Sequence, residues 1–194
     1  MKIVLATRNP GKVHEMRSLL SGLNVELVST SAIETAPEID EDAESLEENA
    51  EKKARTLHEH TGLAALADDT GLEVAALGGR PGVHSARYAG EQADDVANRR
   101  LLLWELADAT SRAARFRTVI AFVDREGNIH YFEGICPGEI IEEERGTGGF
   151  GYDSIFVPEG FDRTFAELPV DEKNAVSHRG RALSHFASYL REHV

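Results

Sequence analysis

Asp68 and Asp69 stand side by side in Ala67-Asp68-Asp69-Thr70-Gly71, between the apolar stretches Leu63–Ala67 and Leu72–Leu77. Both stretches read as strands, with the acids in a glycine turn between them. Neighbouring strand side chains point to opposite faces, so the two carboxylates need not enter one site. A metal-dependent hydrolase requires at least one such carboxylate. The alternative is a polar turn in which Asp caps its own backbone. The interruption of two apolar strands by paired acids favours chemistry.

Three further clusters carry donors or acids. Thr7-Arg8-Asn9-Pro10-Gly11-Lys12 lies between an apolar run and a helical pattern. A strand-to-helix turn presents backbone N–H groups and the positive end of a helix dipole, which suits phosphate. The G-x-x-x-x-G-K spacing of a P-loop is absent. Helix capping by Asn9, with Pro10 in the first turn, explains the same residues equally well. Residues 34–48 hold eight acids and no base. Asp40, Asp42, Glu44 and Glu51 fall at EF-hand positions, but Ser45 stands where the sharp turn needs glycine, so a calcium hand is rejected. Lys173, Ser177, His178 and Arg179 crowd together just before a final helical pattern. Such donors suit a phosphate or the carbonyl edge of a base.

Gly146–Gly151, "GTGGFG", fits G-x-G-x-x-G, the dinucleotide-binding pattern. That pattern has meaning only between a strand and a helix. Here Tyr152–Pro158 follows, aromatic and β-branched, and it reads as a strand. The glycines therefore serve another purpose.

The elements that must position these clusters are those of a mixed α/β domain. Strands are expected at Lys2–Ala6, Val25–Ser29 and Gly138–Glu144, with a hairpin from Arg115–Asp124 and Asn128–Ile135. Helices are expected after the first turn, over roughly 45–60, over Asp94–Ala107 and over roughly 177–192. In the last, Leu183, Phe186, Ala187 and Leu190 share one face. No repeat or linker divides the 194 residues, so residues 1–194 read as one domain.

Composition narrows the function classes. The formal net charge of −13 argues against nucleic acid or an anionic membrane as partner. The single cysteine, Cys136, excludes a disulfide framework and a cysteine-rich zinc site, and it reads as a small buried hydrophobe. The apolar run Ile3–Ala6 is too short for a signal-peptide core, and nothing approaches the ~20 apolar residues of a membrane span. A cytoplasmic protein is expected.

Taken in order, the motifs resemble the inosine triphosphate pyrophosphatase family, which hydrolyses non-standard purine nucleoside triphosphates. The resemblance rests on Thr7-x-Asn9-x-Gly11-Lys12, Glu48-Asn49-Ala50 with Lys53-Ala54, Ala67–Leu72, Pro81-Gly82-x-x-Ser85-Ala86-Arg87, Gly146–Asp153 and Ser177-His178-Arg179-Gly180. It implies a single α/β domain with a long twisted mixed sheet flanked by helices, and two lobes with a central substrate cleft. It implies a homodimer, Mg²⁺, and cleavage of ITP, dITP or XTP to the monophosphate and pyrophosphate. Carried over by position, Thr7, Arg8, Asn9, Pro10, Gly11, Lys12 and Lys53 would hold phosphates. Glu41 and Asp69 would bind Mg²⁺, with Asp69 also the base that activates water; Asp40, Asp42 and Glu44 are rivals for the place of Glu41. Thr70 would touch substrate. Phe150, Gly151, Tyr152, Asp153, Lys173, His178 and Arg179 would form the nucleoside pocket, where donors favour a 6-oxo base.

Two other readings stand beside this one. A dinucleotide oxidoreductase follows from the glycine pattern alone. A non-catalytic nucleotide sensor of the same fold would bind ITP without turning it over.

Overall fold

The computed structural model describes every residue except Glu34, Ala93 and Val194, so the first residue of the acidic run lies outside it. Seven strands form one mixed sheet, ordered β2-β1-β3-β5-β6-β7, with β4 paired to β3. Strand β1 (Lys2–Leu5) runs parallel to β2 (Glu26–Ser29) and to β3 (Ala64–Val74). Strand β4 (Pro81–Gly82) pairs antiparallel with β3, and β7 (Phe156–Pro158) antiparallel with β6 (Ile129–Ile140). Strand β5 (Ala113–Val123) completes the set.

The chain divides into two compact units. The first holds residues 1–69, 118–134 and the chain from Arg179 onward. Its core joins Ile3 and Leu5 of β1, Ala64 and Leu66 of β3, and Ile120 and Phe122 of β5. Helix α1 (Pro10–Leu20) adds Met16 and Leu20, and helix α5 (His178–His193) adds Leu183, Phe186, Ala187 and Leu190. The stripe expected from helical spacing is thus the face that packs. Helix α2 (Leu46–Thr61) buries Leu46, Ala50, Ala54 and Leu57. Ser45 caps its start: the hydroxyl accepts from the Glu48 N–H at 3.2 Å and donates to the Glu48 carboxylate at 2.9 Å.

The second unit holds residues 70–117 and 135–178. Its core joins Leu72 and Val74 of β3, Phe116 of β5, Cys136 and Ile140 of β6, and Phe156 of β7. Helix α3 (Asp95–Glu105) contributes Leu102, and Phe165 and Leu168 come from the segment before helix α4 (Val170–Val176). Cys136 is buried and unbonded to another cysteine, as its sequence context predicts. Among the described residues no helix is long and apolar enough to cross a membrane.

Three expectations change. Asp68–Gly71 is not a turn between two strands; β3 runs straight through it. The acids stay in the ladder because cations satisfy them where they are buried, and Gly71 fits a close approach. A Cβ on Gly71 would lie 2.6 Å from the Gly82 carbonyl oxygen of β4. The separate strand expected at Gly138–Glu144 is the end of β6, with Gly138 paired to Pro158. The strand expected at Tyr152–Pro158 shrinks to β7, preceded by a 3-10 turn at Asp153–Ile155. No helix opens directly from the glycine loop, so the condition for a Rossmann turn fails.

Candidate active site

In the first unit, β3 carries Asp68 and Asp69 into the midst of groups from α1, α2 and α5. Their side chains do part to different partners, as strand geometry requires. Asp68 Oδ2 accepts from Arg179 Nε and Nη2, both at 3.1 Å, and pairs with Lys12 Nζ at 3.0 Å. Arg179 Nη1 donates to Glu15 Oε2 at 2.6 Å. Asp69 Oδ2 instead accepts from Asn49 Nδ2 at 3.2 Å, and its Oδ1 lies 3.6 Å from Lys53 Nζ. That ammonium also lies 3.2 Å from Glu41 Oε2 and donates to the Asp68 carbonyl oxygen at 2.7 Å. Lys53 therefore holds the acidic loop and the strand together.

Charge states follow from these partners. Burial opposes a charged Asp68, but Lys12 and Arg179 outweigh it and hold the carboxyl well below the usual range. Burial also opposes a charged Lys53, yet Asp69, Glu41 and Asp68 keep it above the ordinary lysine value. Asp69 is different. Burial raises its pKa, and the opposing pull of Lys53 and Lys12 does not cancel it. A carboxylate raised in this way is a better proton acceptor than a free one.

The first turn shows the capping arrangement in full. Asn9 Oδ1 accepts from the N–H groups of Gly11 at 2.9 Å and Lys12 at 3.3 Å, and Pro10 occupies the first helical position. The Thr7 hydroxyl accepts from the Asn9 N–H at 3.2 Å. Arg8 is exposed and pairs with Glu38 at 3.4 Å. What the turn adds to the charged cluster is Lys12.

The second unit gathers the other named residues. Phe150 is half-buried, with the ammonium of Lys173 5.1 Å from its ring centre. Lys173 donates to Asp153 Oδ2 at 2.8 Å, and the same oxygen accepts from the Phe150 N–H at 2.9 Å. His178 is buried and stacks on Phe116, ring centres 4.5 Å apart. Tyr152 is a core residue whose hydroxyl donates to the Ser85 carbonyl oxygen at 2.8 Å. Thr70 follows Asp69 in β3 and is partly exposed. The glycine loop has a specific cause here. A Cβ on Gly149, whose φ is +72°, would fall 2.1 Å from Asp153 Oδ2. Only glycine lets that carboxylate reach both Lys173 and the Phe150 N–H.

Sequence reasoning gave no role to several of these groups. Asn49 holds Asp69 through Nδ2 and accepts from the Ala43 N–H at 3.0 Å through Oδ1, tying the acidic loop to the strand. Its signal was a polar residue inside the apolar stripe of α2. Glu15 is an acid beside the buried Met16 of α1, and its partner lies 164 residues away. Phe116 gave no signal beyond β-strand alternation.

A buried carboxylate of raised pKa within β3, beside Lys53 and near Lys12, defines an α/β protein with a densely charged site. The chain belongs to the Ham1 family, whose model matches residues 3–189. Among its relatives, a dITP/XTP pyrophosphatase of Christiangramia forsetii is 49% identical over 98% of this chain and 99% of its own. The dITP/XTP pyrophosphatase of Geobacter sulfurreducens is 49% identical over 97% and 96%. The solved HAM1 protein of Coxiella burnetii superposes with a TM-score of 0.90 at 43% identity, covering 99% of both chains. A nucleoside-triphosphatase / dITP/XTP pyrophosphatase of Mycobacterium abscessus gives 0.78 at 48% identity, over 96% and 98%.

Proposed function

We propose that this protein hydrolyses non-standard purine nucleoside triphosphates (ITP, dITP and XTP) to the monophosphate and pyrophosphate, with Mg²⁺, so cleansing the nucleotide pool. The observation that carries this reading is Asp69, buried, raised in pKa and held by Asn49 beside the ammonium of Lys53.

The donor set fits Mg²⁺. Among the described residues no three His, Cys, Asp or Glu side chains form a metal-binding group. Mg²⁺ asks for less: one or two carboxylates plus substrate phosphates, with waters. Glu41 and Asp69, which share Lys53, supply that pair. Charge balance supports the same reading. Three cations, Lys12, Lys53 and Arg179, already face four carboxylates, Glu15, Glu41, Asp68 and Asp69. A triphosphate arriving here needs positive charge that the side chains do not supply in excess. Bound at Glu41 and Asp69, Mg²⁺ would supply it against the phosphate oxygens.

The protein's own groups then do the rest. Lys12 and Lys53, with the Thr7–Lys12 turn, hold phosphate oxygens and keep the α-phosphorus in line with its leaving pyrophosphate. Asp69, held by Asn49 beside Lys53, takes the proton of the attacking water. In the second unit, Phe150 offers a ring face to the purine, an interaction worth about 1–3 kcal/mol. Lys173 presents an N–H donor to a carbonyl at position 6, where adenine has an amino group that also donates. A homodimer in the cytoplasm belongs to the same proposal.

A nucleotide panel tests this. With Mg²⁺, ITP, dITP and XTP are expected to give pyrophosphate at least about 100-fold faster than ATP at equal concentration, since unpaired buried donors are costly. EDTA is expected to abolish release, and Mg²⁺ to restore it. Equal rates on ATP and ITP would overturn the base reading. Full activity in EDTA would overturn the metal.

A further inference from the structure

The loop that carries Phe150 is not held by its own residues alone. Helix α3 reaches it with two side chains one turn apart. The Gly151 N–H donates to Asp95 Oδ2 at 2.8 Å, and Arg99 Nη1 donates to the Gly151 carbonyl oxygen at 2.7 Å. Arg99 Nε also donates to Glu144 Oε2 at 3.0 Å, and the Ser154 hydroxyl donates to the same oxygen at 3.0 Å. Glu144 precedes the glycine loop and Ser154 follows it, so Arg99 ties the start and the middle of the loop to one helix, and Glu144 joins the far end to the start. The Arg99 side chain is 14% exposed, against 41% for its partner Glu144.

The consequence falls on Phe150. Its own N–H goes to Asp153 Oδ2, and its carbonyl oxygen accepts from the Asp153 N–H at 3.1 Å. The next N–H, that of Gly151, goes to Asp95. Gly149 and Gly151, at φ +72° and +59°, flank Phe150 on a backbone that has little stiffness of its own. Such a segment holds a ring in one place only if other elements fix its peptide groups.

We infer that Asp95 and Arg99 are positioning residues for the purine: through the Gly151 peptide they set where the Phe150 ring meets the base. The inference rests on the reading of Phe150 as the stacking ring. It assigns these side chains to base affinity and selectivity, with no part in phosphate binding or in the proton transfer at Asp69.

The test uses the full-length protein with Mg²⁺, measuring KM and kcat for ITP, inhibition by tripolyphosphate (which has no base), and the melting temperature. Variants are Arg99→Ala, Asp95→Ala, Asp95→Asn and Phe150→Ala. Arg99→Ala and Asp95→Ala are expected to raise KM for ITP about tenfold, the scale of one lost hydrogen bond to a charged group. Inhibition by tripolyphosphate and kcat are expected to stay within about twofold of wild type, since neither draws on the lost hydrogen bond. Asp95→Asn keeps an acceptor for the Gly151 N–H and is expected to recover most of the lost affinity. If Phe150→Ala raises KM while the two alanine variants in α3 do not, the positioning role is wrong and the stacking role stands. If Phe150→Ala also leaves KM unchanged, the stacking role itself fails, and this inference with it. A loss of tripolyphosphate inhibition parallel to the rise in KM, or no recovery in Asp95→Asn, would make these residues general supports of the fold and overturn the inference.

Discussion

Asp69→Asn is expected to lower kcat for ITP by about 10²–10⁴-fold, the usual contribution of a positioned general base. The fold should survive. The amide keeps an oxygen to accept from Asn49 Nδ2, and Lys53 keeps Glu41 and the Asp68 carbonyl. The side chain changes little in volume, so its packing in β3 is unaltered. What it loses is the carboxylate charge, and with it both the ability to take a proton and the anion proposed to hold Mg²⁺. The melting temperature should therefore move by only a few degrees while pyrophosphate release falls to near background. Near-wild-type turnover in Asp69→Asn would remove the proposed base.

The neighbouring acid should behave in the opposite way. Asp68→Ala is expected to cost about 3–5 kcal/mol of stability, because it takes the shared anion from the buried Arg179 and the partly buried Lys12. Arg179 is 2% exposed and keeps Glu15; Lys12 loses the carboxylate it pairs with. For a chain of this size that is a fall of roughly 6–20 °C in melting temperature. Acid should reproduce part of the effect in wild type. The Asp68 carboxyl is held below its ordinary range, so its stabilisation is full above an unfolded pKa of about 4 and is lost as the pH falls below it. Calorimetry of wild type and Asp68→Ala between neutral pH and pH 3 checks both statements. A variant that melts with wild type would show that the Asp68 cluster carries little of the fold. With the expected loss, two adjacent identical residues differ by function, one in chemistry and one in architecture, as the alternation of a strand allows.

The parting of the two acids to different partners was only half legible in the sequence. Alternation said that the two acids part, and it could not say to what. Their partners are set by contacts across 111 residues for Asp68 with Arg179 and 20 for Asp69 with Asn49. Local pattern carried the elements well where periodicity was strong, as in the face of α5 built on Leu183, Phe186 and Leu190. It failed at Asp68–Gly71, because composition reads two acids and a glycine as a turn, whereas ion pairing and a close glycine contact keep the strand intact. It also grouped Lys173 with Arg179, six positions apart. Ser177 ends α4 between them, and the two cations take different anions: Asp153 for Lys173, Asp68 and Glu15 for Arg179. The glycine loop matches a nucleotide-binding pattern in the sequence. The reason for Gly149, room for the Asp153 carboxylate, needed the fold.

The central claim is attack of water on the α-phosphorus with pyrophosphate as leaving group. It is tested most directly by hydrolysing ITP with Mg²⁺ in ¹⁸O-labelled water and resolving the products by phosphorus NMR. The proposed chemistry predicts IMP and pyrophosphate, with the label on the IMP phosphate alone. Inosine diphosphate with labelled orthophosphate, or label in the pyrophosphate, would contradict it.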